Sequence, residues 1–167
     1  MRDLDELLLK AATEGDFAAA SASLCRGASK DATTDFGFTA MHVAATAGHL
    51  LIVRLLIDAR ADVNRRDRYG ISPLHQAIGW PKVMEALLDA GADVDSATTQ
   101  GVTPLMSAAA FGEMESVRLL LVRGADLNRR DDRGSSAADA AGEKGEDEIF
   151  SLLDGLEHKP INFGGGG

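Results

Sequence analysis

The stretch Gly37–Asn64, GFTAMHVAATAGHLLIVRLLIDARADVN, decides the fold, because a shift by a fixed period finds it again along the chain. Gly37, Gly70, Gly101 and Gly134 stand 33, 31 and 33 residues apart. Each is followed two positions on by Thr or Ser, then by a run of small residues, a Gly or Pro break and a second, more apolar run. The closing phrase reads ADVN, ADVD and ADLN in the first three copies. Self-similarity at such a period marks a repeat array, in which each unit is one supersecondary element.

The physics of a unit follows from its residues. Thr39 to Ala47 are small and favour helix, so a first helix can lie close against its neighbours. Leu50 to Ile57 is apolar nearly all round, and such a helix must be buried on most faces. One helix pair cannot hide that surface alone, so adjacent units supply the cover. Gly48, Gly112 and Gly145 are placed to end first helices, and Pro73 and Pro104 to begin them.

The words TAMHVAATAGH, SPLHQAIGWP, TPLMSAAAFGE and SSAADAAGEKGE resemble the ankyrin repeat, with its T-P-L-H-x-A signature, from about Leu4 to Leu156. The resemblance implies an all-α fold with short β-hairpin fingers, an ankyrin-repeat α-solenoid of stacked helix-turn-helix units. It also implies protein binding rather than catalysis, with no cofactor. The expected units are about 1–33, 34–66, 67–97, 98–130 and 131–156 within a single domain, 1–156, followed by a flexible Gly-rich tail, 157–167. The first unit lacks a hairpin but aligns at an offset of 33: Ala11 and Ala12 fall on Ala44 and Ala45, Gly15 on Gly48 and Ala28 on Ala61. The fifth carries Glu143, Lys144, Glu146, Asp147 and Glu148, the polar surface that a terminal cap requires. The third is two residues short at Gly79-Trp80-Pro81, so its first helix is expected to end early, with Trp80 biased away from helical angles and Pro81 opening the next helix. That truncated unit is similar to the short repeat of the small ankyrin inhibitors of cell-cycle kinases, although there it is the second unit. A scaffold without a partner, natural or engineered, is a further reading.

Composition narrows the function. A net charge of −9 argues against a nucleic-acid partner held by phosphate neutralisation. No apolar run approaches the roughly 18 residues of a membrane span, and MRDLDELLLKAA places acids where a secretory signal is basic, so a cytoplasmic protein is expected. Cys25 is the one cysteine, which excludes an internal disulfide, and it is expected to be partly exposed. No P-loop, G-x-S-x-G, H-E-x-x-H, Cys-x-x-Cys or EF-hand pattern occurs. His42 and His75, one per unit, read as structural residues too far apart to share a zinc ion, and in the family such histidines bond within and between neighbouring hairpins. No metal site is expected, and the chain is expected to be a monomer.

The aromatics carry what remains. In the family the residues flanking the hairpin glycine and those at the end of the first helix face the concave groove and vary with the partner. Phe36 and Tyr69 precede such glycines, Phe38 follows one, and Trp80 and Phe111 are expected to end first helices. With Asp35, Arg66, Arg68, Ile71, Gln100 and Val102 they form the candidate partner-binding set. Local roles compete: Trp80 filling the space of the two missing residues, and Phe111 packing on the next first helix. The arginine pairs at two fingers are either solvated tips or a rim that steers an acidic partner.

Overall fold

The computed structural model describes residues 2–157, with side chains placed for residues 3–156. The tail expected over 157–167, with His158 and Phe163, lies outside the described residues except for Glu157, which is the last residue of the final helix. Ten helices follow one another: α1 (Arg2–Glu14), α2 (Phe17–Cys25), α3 (Ala40–Thr46), α4 (Leu50–Asp58), α5 (Pro73–Gln76), α6 (Pro81–Asp89), α7 (Pro104–Ala110), α8 (Met114–Val122), α9 (Ala137–Lys144) and α10 (Asp147–Glu157). First helices stack in the order α1, α3, α5, α7, α9, and second helices in the order α2, α4, α6, α8. The core runs unbroken through the stack. Leu8 and Ala12, Met41 and Ala45, Leu74 and Met84, Leu105 and Leu120, and Ala141 and Leu153 are all buried.

The first helices start the same way for one reason. Thr39, Ser72, Thr103 and Ser136 are N-caps in extended backbone, each in a capping box with the residue three positions on. That residue is His42, His75, Met106 or Asp139, so two orphan donors are satisfied reciprocally at every start. Pro73 and Pro104 occupy the first helical turn, where the absent N–H costs nothing. The histidines also tie units together: the His42 ring pairs through Nδ1 with Thr39 Oγ1 at 2.9 Å and through Nε2 with the Ile71 carbonyl at 3.1 Å. His75 repeats this with Ser72 Oγ at 2.8 Å and the Val102 carbonyl at 3.1 Å.

The fingers are tighter than the expected hairpins. Among the described residues the single bridge outside helices is Thr33 with Thr39. Each finger is a five-residue turn closed by two backbone bonds: Thr34 N to Phe38 O, Asp67 N to Ile71 O, Thr98 N to Val102 O and Asp131 N to Ser135 O, at 2.9 to 3.0 Å, and the finger glycine N back to the carbonyl of the same first residue, at 2.9 to 3.1 Å. The side chain opening the turn holds it shut. Asp67 Oδ1 accepts from the backbone N–H groups of Tyr69 and Ile71 at 2.8 Å each, and Asp131 Oδ1 from those of Arg133 and Ser135 at 2.9 and 2.8 Å. Adjacent fingers bond sideways, Thr99 N to Tyr69 O at 2.8 Å and Asp132 N to Gln100 O at 3.0 Å.

Second helices end on a left-handed residue, which is Gly27, Gly91 or Gly124 after α2, α6 and α8 but Arg60 after α4. Arg60, at φ 60°, is the one non-glycine with positive φ among the described residues. A side chain there costs about 1–2 kcal/mol, against which glycine adds about 0.5–1 kcal/mol of unfolded-state entropy. Arg60→Gly is therefore expected to stabilise the chain by about 0.5–1 kcal/mol, read as a raised urea midpoint. A lowered midpoint would show that the left-handed strain at Arg60 is smaller than the unfolded-state entropy that glycine adds.

Candidate functional site

The repeat register sorts the exposed finger residues into columns. Phe36, Tyr69, Gln100 and Arg133 precede the four finger glycines, Asp35, Arg68, Thr99 and Asp132 stand one place earlier, and Phe38, Ile71, Val102 and Ser135 follow the glycines. Phe36 and Tyr69, successive members of one column, are 59% and 60% exposed. Asp35, Arg68 and Gln100 are exposed as well, whereas Phe38, Ile71 and Val102 are half-buried. Phe38 meets the His42 ring edge-on, centroids 5.9 Å apart, and the carbonyls of Ile71 and Val102 receive the histidine bonds.

Two grooves open beside these columns on the face of the first helices. The N-terminal one, about 340 Å³, is lined by Thr13, Phe38, His42, Val43, Thr46, Ala47 and Gln76. The C-terminal one, about 280 Å³, has Val102, Met106 and Phe111 as its apolar part, with Arg133 and Lys144 reaching it from the last unit. Phe111, 70% exposed, caps the C-terminus of α7 as expected. The expected set stops at the fourth unit, so it includes neither Arg133, which continues the Phe36–Tyr69 column, nor Lys144; it also leaves out Val43 and Gln76 of the second and third units. The signal for Val43 and Gln76 is their place directly after His42 and His75.

Two candidates take other positions. Trp80 does not end a first helix: α5 stops at Gln76, and Trp80 is the N-cap of α6, in the column of His49, Glu113 and Glu146. The two-residue deletion shortens α5 to a single turn, while Pro81 fixes the start of α6 and keeps Trp80 out of helical backbone, at φ −121° and ψ 74°. Its indole Nε1 donates to the Thr46 carbonyl at 3.1 Å, and its ring lies over Gly48, where a Cβ would come within 2.5 Å of it. His49 makes the equivalent bond to the Thr13 carbonyl at 3.2 Å and lies over Gly15. Arg66 is likewise tied down: Nε donates to the Gly70 carbonyl at 3.1 Å and Nη2 to the Ala97 carbonyl of the next finger.

The titratable groups here are structural in arrangement. His42 and His75 have their pKa values lowered, chiefly by burial, with the Ile71 and Val102 carbonyls opposing. The unfolded chain therefore binds protons more readily near pH 6.5, so their contribution to stability is present above that pH and is lost as pH falls through the lowered folded values. The melting temperature is expected to drop between about pH 7.5 and about pH 5, and less steeply in the double variant His42→Gln, His75→Gln. Equal slopes would show that the histidines do not set the acid limit. Asp139 has its pKa lowered, first by the backbone N–H of Ser136, which it accepts at 2.8 Å, and also by the Arg130 guanidinium at 2.9 Å. Among the described residues no three His, Cys, Asp or Glu side chains converge as a metal site, and no helix is long and apolar enough to cross a membrane.

Residues 8–98 match the family described as ankyrin repeats (3 copies), and residues 87–141 match ankyrin repeats (many copies). The chain is 31% identical over 116 residues to the transient receptor potential cation channel subfamily A member 1 homolog of Caenorhabditis elegans, 69% of this chain and 10% of that protein. It is 50% identical over 46 residues to protein phosphatase 1 regulatory subunit 12A of Mus musculus, 28% of this chain and 4% of that one. Over 134 residues it is 29% identical to an L-asparaginase of Dirofilaria immitis, 79% of this chain and 23% of that one. The chain thus spans only 4% to 23% of the length of these relatives. With helix pairs repeating through the described residues and a family match over more than half of the sequence, the chain belongs to the ankyrin repeats, a family that typically serves as non-enzymatic protein-interaction modules.

Proposed function

We propose that this chain is a non-enzymatic module that binds another protein through its fingers and first helices. The observation that supports the reading best is the pair Phe36 and Tyr69, more than half exposed on successive fingers. Large rings held in water at neighbouring points of a rigid face are the usual anchors of an interface, costing about 2 kcal/mol or more when truncated. The test is Phe36→Ala and Tyr69→Ala, each measured for melting temperature and for retention of partners recovered by affinity pull-down and mass spectrometry. Binding is expected to weaken about 30-fold with the melting temperature unchanged. Unchanged binding in both variants removes the site. The same reading has the chain act as a monomer in the cytoplasm, tested by size exclusion and cell fractionation.

The four-residue α5 favours a second reading, inhibition of a protein kinase, because the small ankyrin kinase inhibitors share a shortened unit of this kind. Binding to a kinase catalytic domain in a pull-down, lost on substitution of the third unit, is its test.

A further inference from the structure

The charge of the chain is divided unevenly along its sequence, with two of the four fingers basic. Residues 65–68 and 129–133 hold six arginines, Arg65, Arg66, Arg68, Arg129, Arg130 and Arg133, against three aspartates, Asp67, Asp131 and Asp132. These fingers are therefore three charges positive, and the remaining chain must carry twelve negative charges to reach the net −9. Asp67 is buried, and Asp67 and Asp131 each spend one carboxylate oxygen on two N–H groups of their own turn. Arg66 is committed to two carbonyls and Arg130 to Asp139. Arg68 and Arg133 are exposed at finger tips two units apart. Arg68 adjoins Tyr69, while Arg133 opens onto the groove of Val102, Met106 and Phe111, which Lys144 enters from the end of α9 and which Asp131, tied into its own turn, and Glu143 also line.

We infer that the segment held by this face is an acidic stretch of a protein partner carrying an apolar residue. Its carboxylates meet Arg68, Arg133 and Lys144, and its apolar side chain enters the Val102–Phe111 groove. The inference rests on the protein-binding reading and names the partner's chemistry. A basic ridge on an acidic body orients an acidic partner during approach and repels it elsewhere. A polynucleotide fits less well: Asp132 and Glu143 stand beside the same cations, and a continuous phosphate chain cannot avoid them as spaced carboxylates can.

The test is selection of phage-displayed random dodecapeptides on the full chain, with a labelled single-stranded oligonucleotide titrated in parallel. Enriched peptides are expected to be rich in Asp and Glu around a Leu, Ile or Phe and to bind more weakly at high salt. Arg68→Glu with Arg133→Glu is expected to weaken them at least about tenfold, and Phe111→Ser similarly, with melting curves unchanged. Arg118→Glu, on the exposed face of α8, is expected to have little effect. Neutral or basic peptides, no enrichment, insensitivity to the charge reversal, or tighter binding of the oligonucleotide would each overturn the inference. If neutral or basic peptides are enriched and lost in Tyr69→Ala, the acidic partner falls while the binding module stands. Peptides indifferent to every finger substitution would take both away.

Discussion

A chain cut after Arg133 is expected to aggregate and to lose its single cooperative melting transition. The cut removes α9 and α10 and with them the buried side chains of Ala137, Ala138, Ala141, Ile149 and Leu153. Burial of an Ile or Leu is worth about 1.5–3 kcal/mol, and the apolar residues of α7 that faced α9 lose their cover as well. Several kcal/mol is a large part of the roughly 5–15 kcal/mol that holds a domain folded. Met106 and Ala109, now buried, belong to α7, the helix of the fourth unit that packs on α9. Light scattering and calorimetry check the outcome. A truncated chain that stayed monomeric with an unchanged melting curve would show that the fifth unit does not act as a cap.

Gly70→Ala is expected to destabilise the chain by about 3 kcal/mol, against about 1 kcal/mol for Gly91→Ala. Both residues have positive φ, 76° and 91°, so both substitutions carry the left-handed penalty. They differ in what a Cβ meets. At Gly91 nothing lies within 4 Å, whereas at Gly70 the Thr99 nitrogen would be 2.8 Å away and the Thr98 carbonyl carbon 3.0 Å. Those are backbone atoms of the next finger, bonded through Thr99 N to Tyr69 O, and they cannot rotate aside. Denaturant midpoints for the two variants separate the terms, and equal losses would refute the account of fingers packed backbone to backbone.

What could be read in the sequence was whatever repeats. The period located the turn glycines and the capping Thr and Ser, and the offset of 33 found the first unit, whose Ala11 and Ala12 are buried as Ala44 and Ala45 are. Cys25, expected to be partly exposed, is exposed. The histidine bonds between units, an expectation from the family, are present at 3.1 Å. The response to an irregularity could be read only in part. The deletion at Gly79-Trp80-Pro81 showed that the first helix of the third unit ends early and that Pro81 opens the next, but not that α5 would shrink to one turn, so that Trp80, also expected to end a first helix, is the N-cap of α6. Of the candidate site, the columns could be read because they follow the register. The C-terminal groove could not, since it joins Val102 to Lys144 from successive units and depends on how closely those units approach. Nor does composition separate Arg66, pinned by two carbonyls, from Arg68, which is exposed.

The loops between paired helices carry a consequence for how this chain tolerates change. Gly15, Gly48, Gly79 and Gly112 lie beneath His49, Trp80, Glu113 and Glu146, each the residue that opens the next second helix. An imidazole, an indole and two carboxylates thus occupy equivalent seats, and they share one because the residue below has no side chain to dispute it. The glycine works as a socket that does not read what is plugged into it. Divergence of the upper residue is cheap at these seams, while a side chain added to the lower one is strained by a positive φ at all four and must also be accommodated by the unit above at Gly15, Gly48 and Gly112. Libraries that vary His49, Glu113 and Glu146 should thus return many folded members, and libraries that vary the glycines very few.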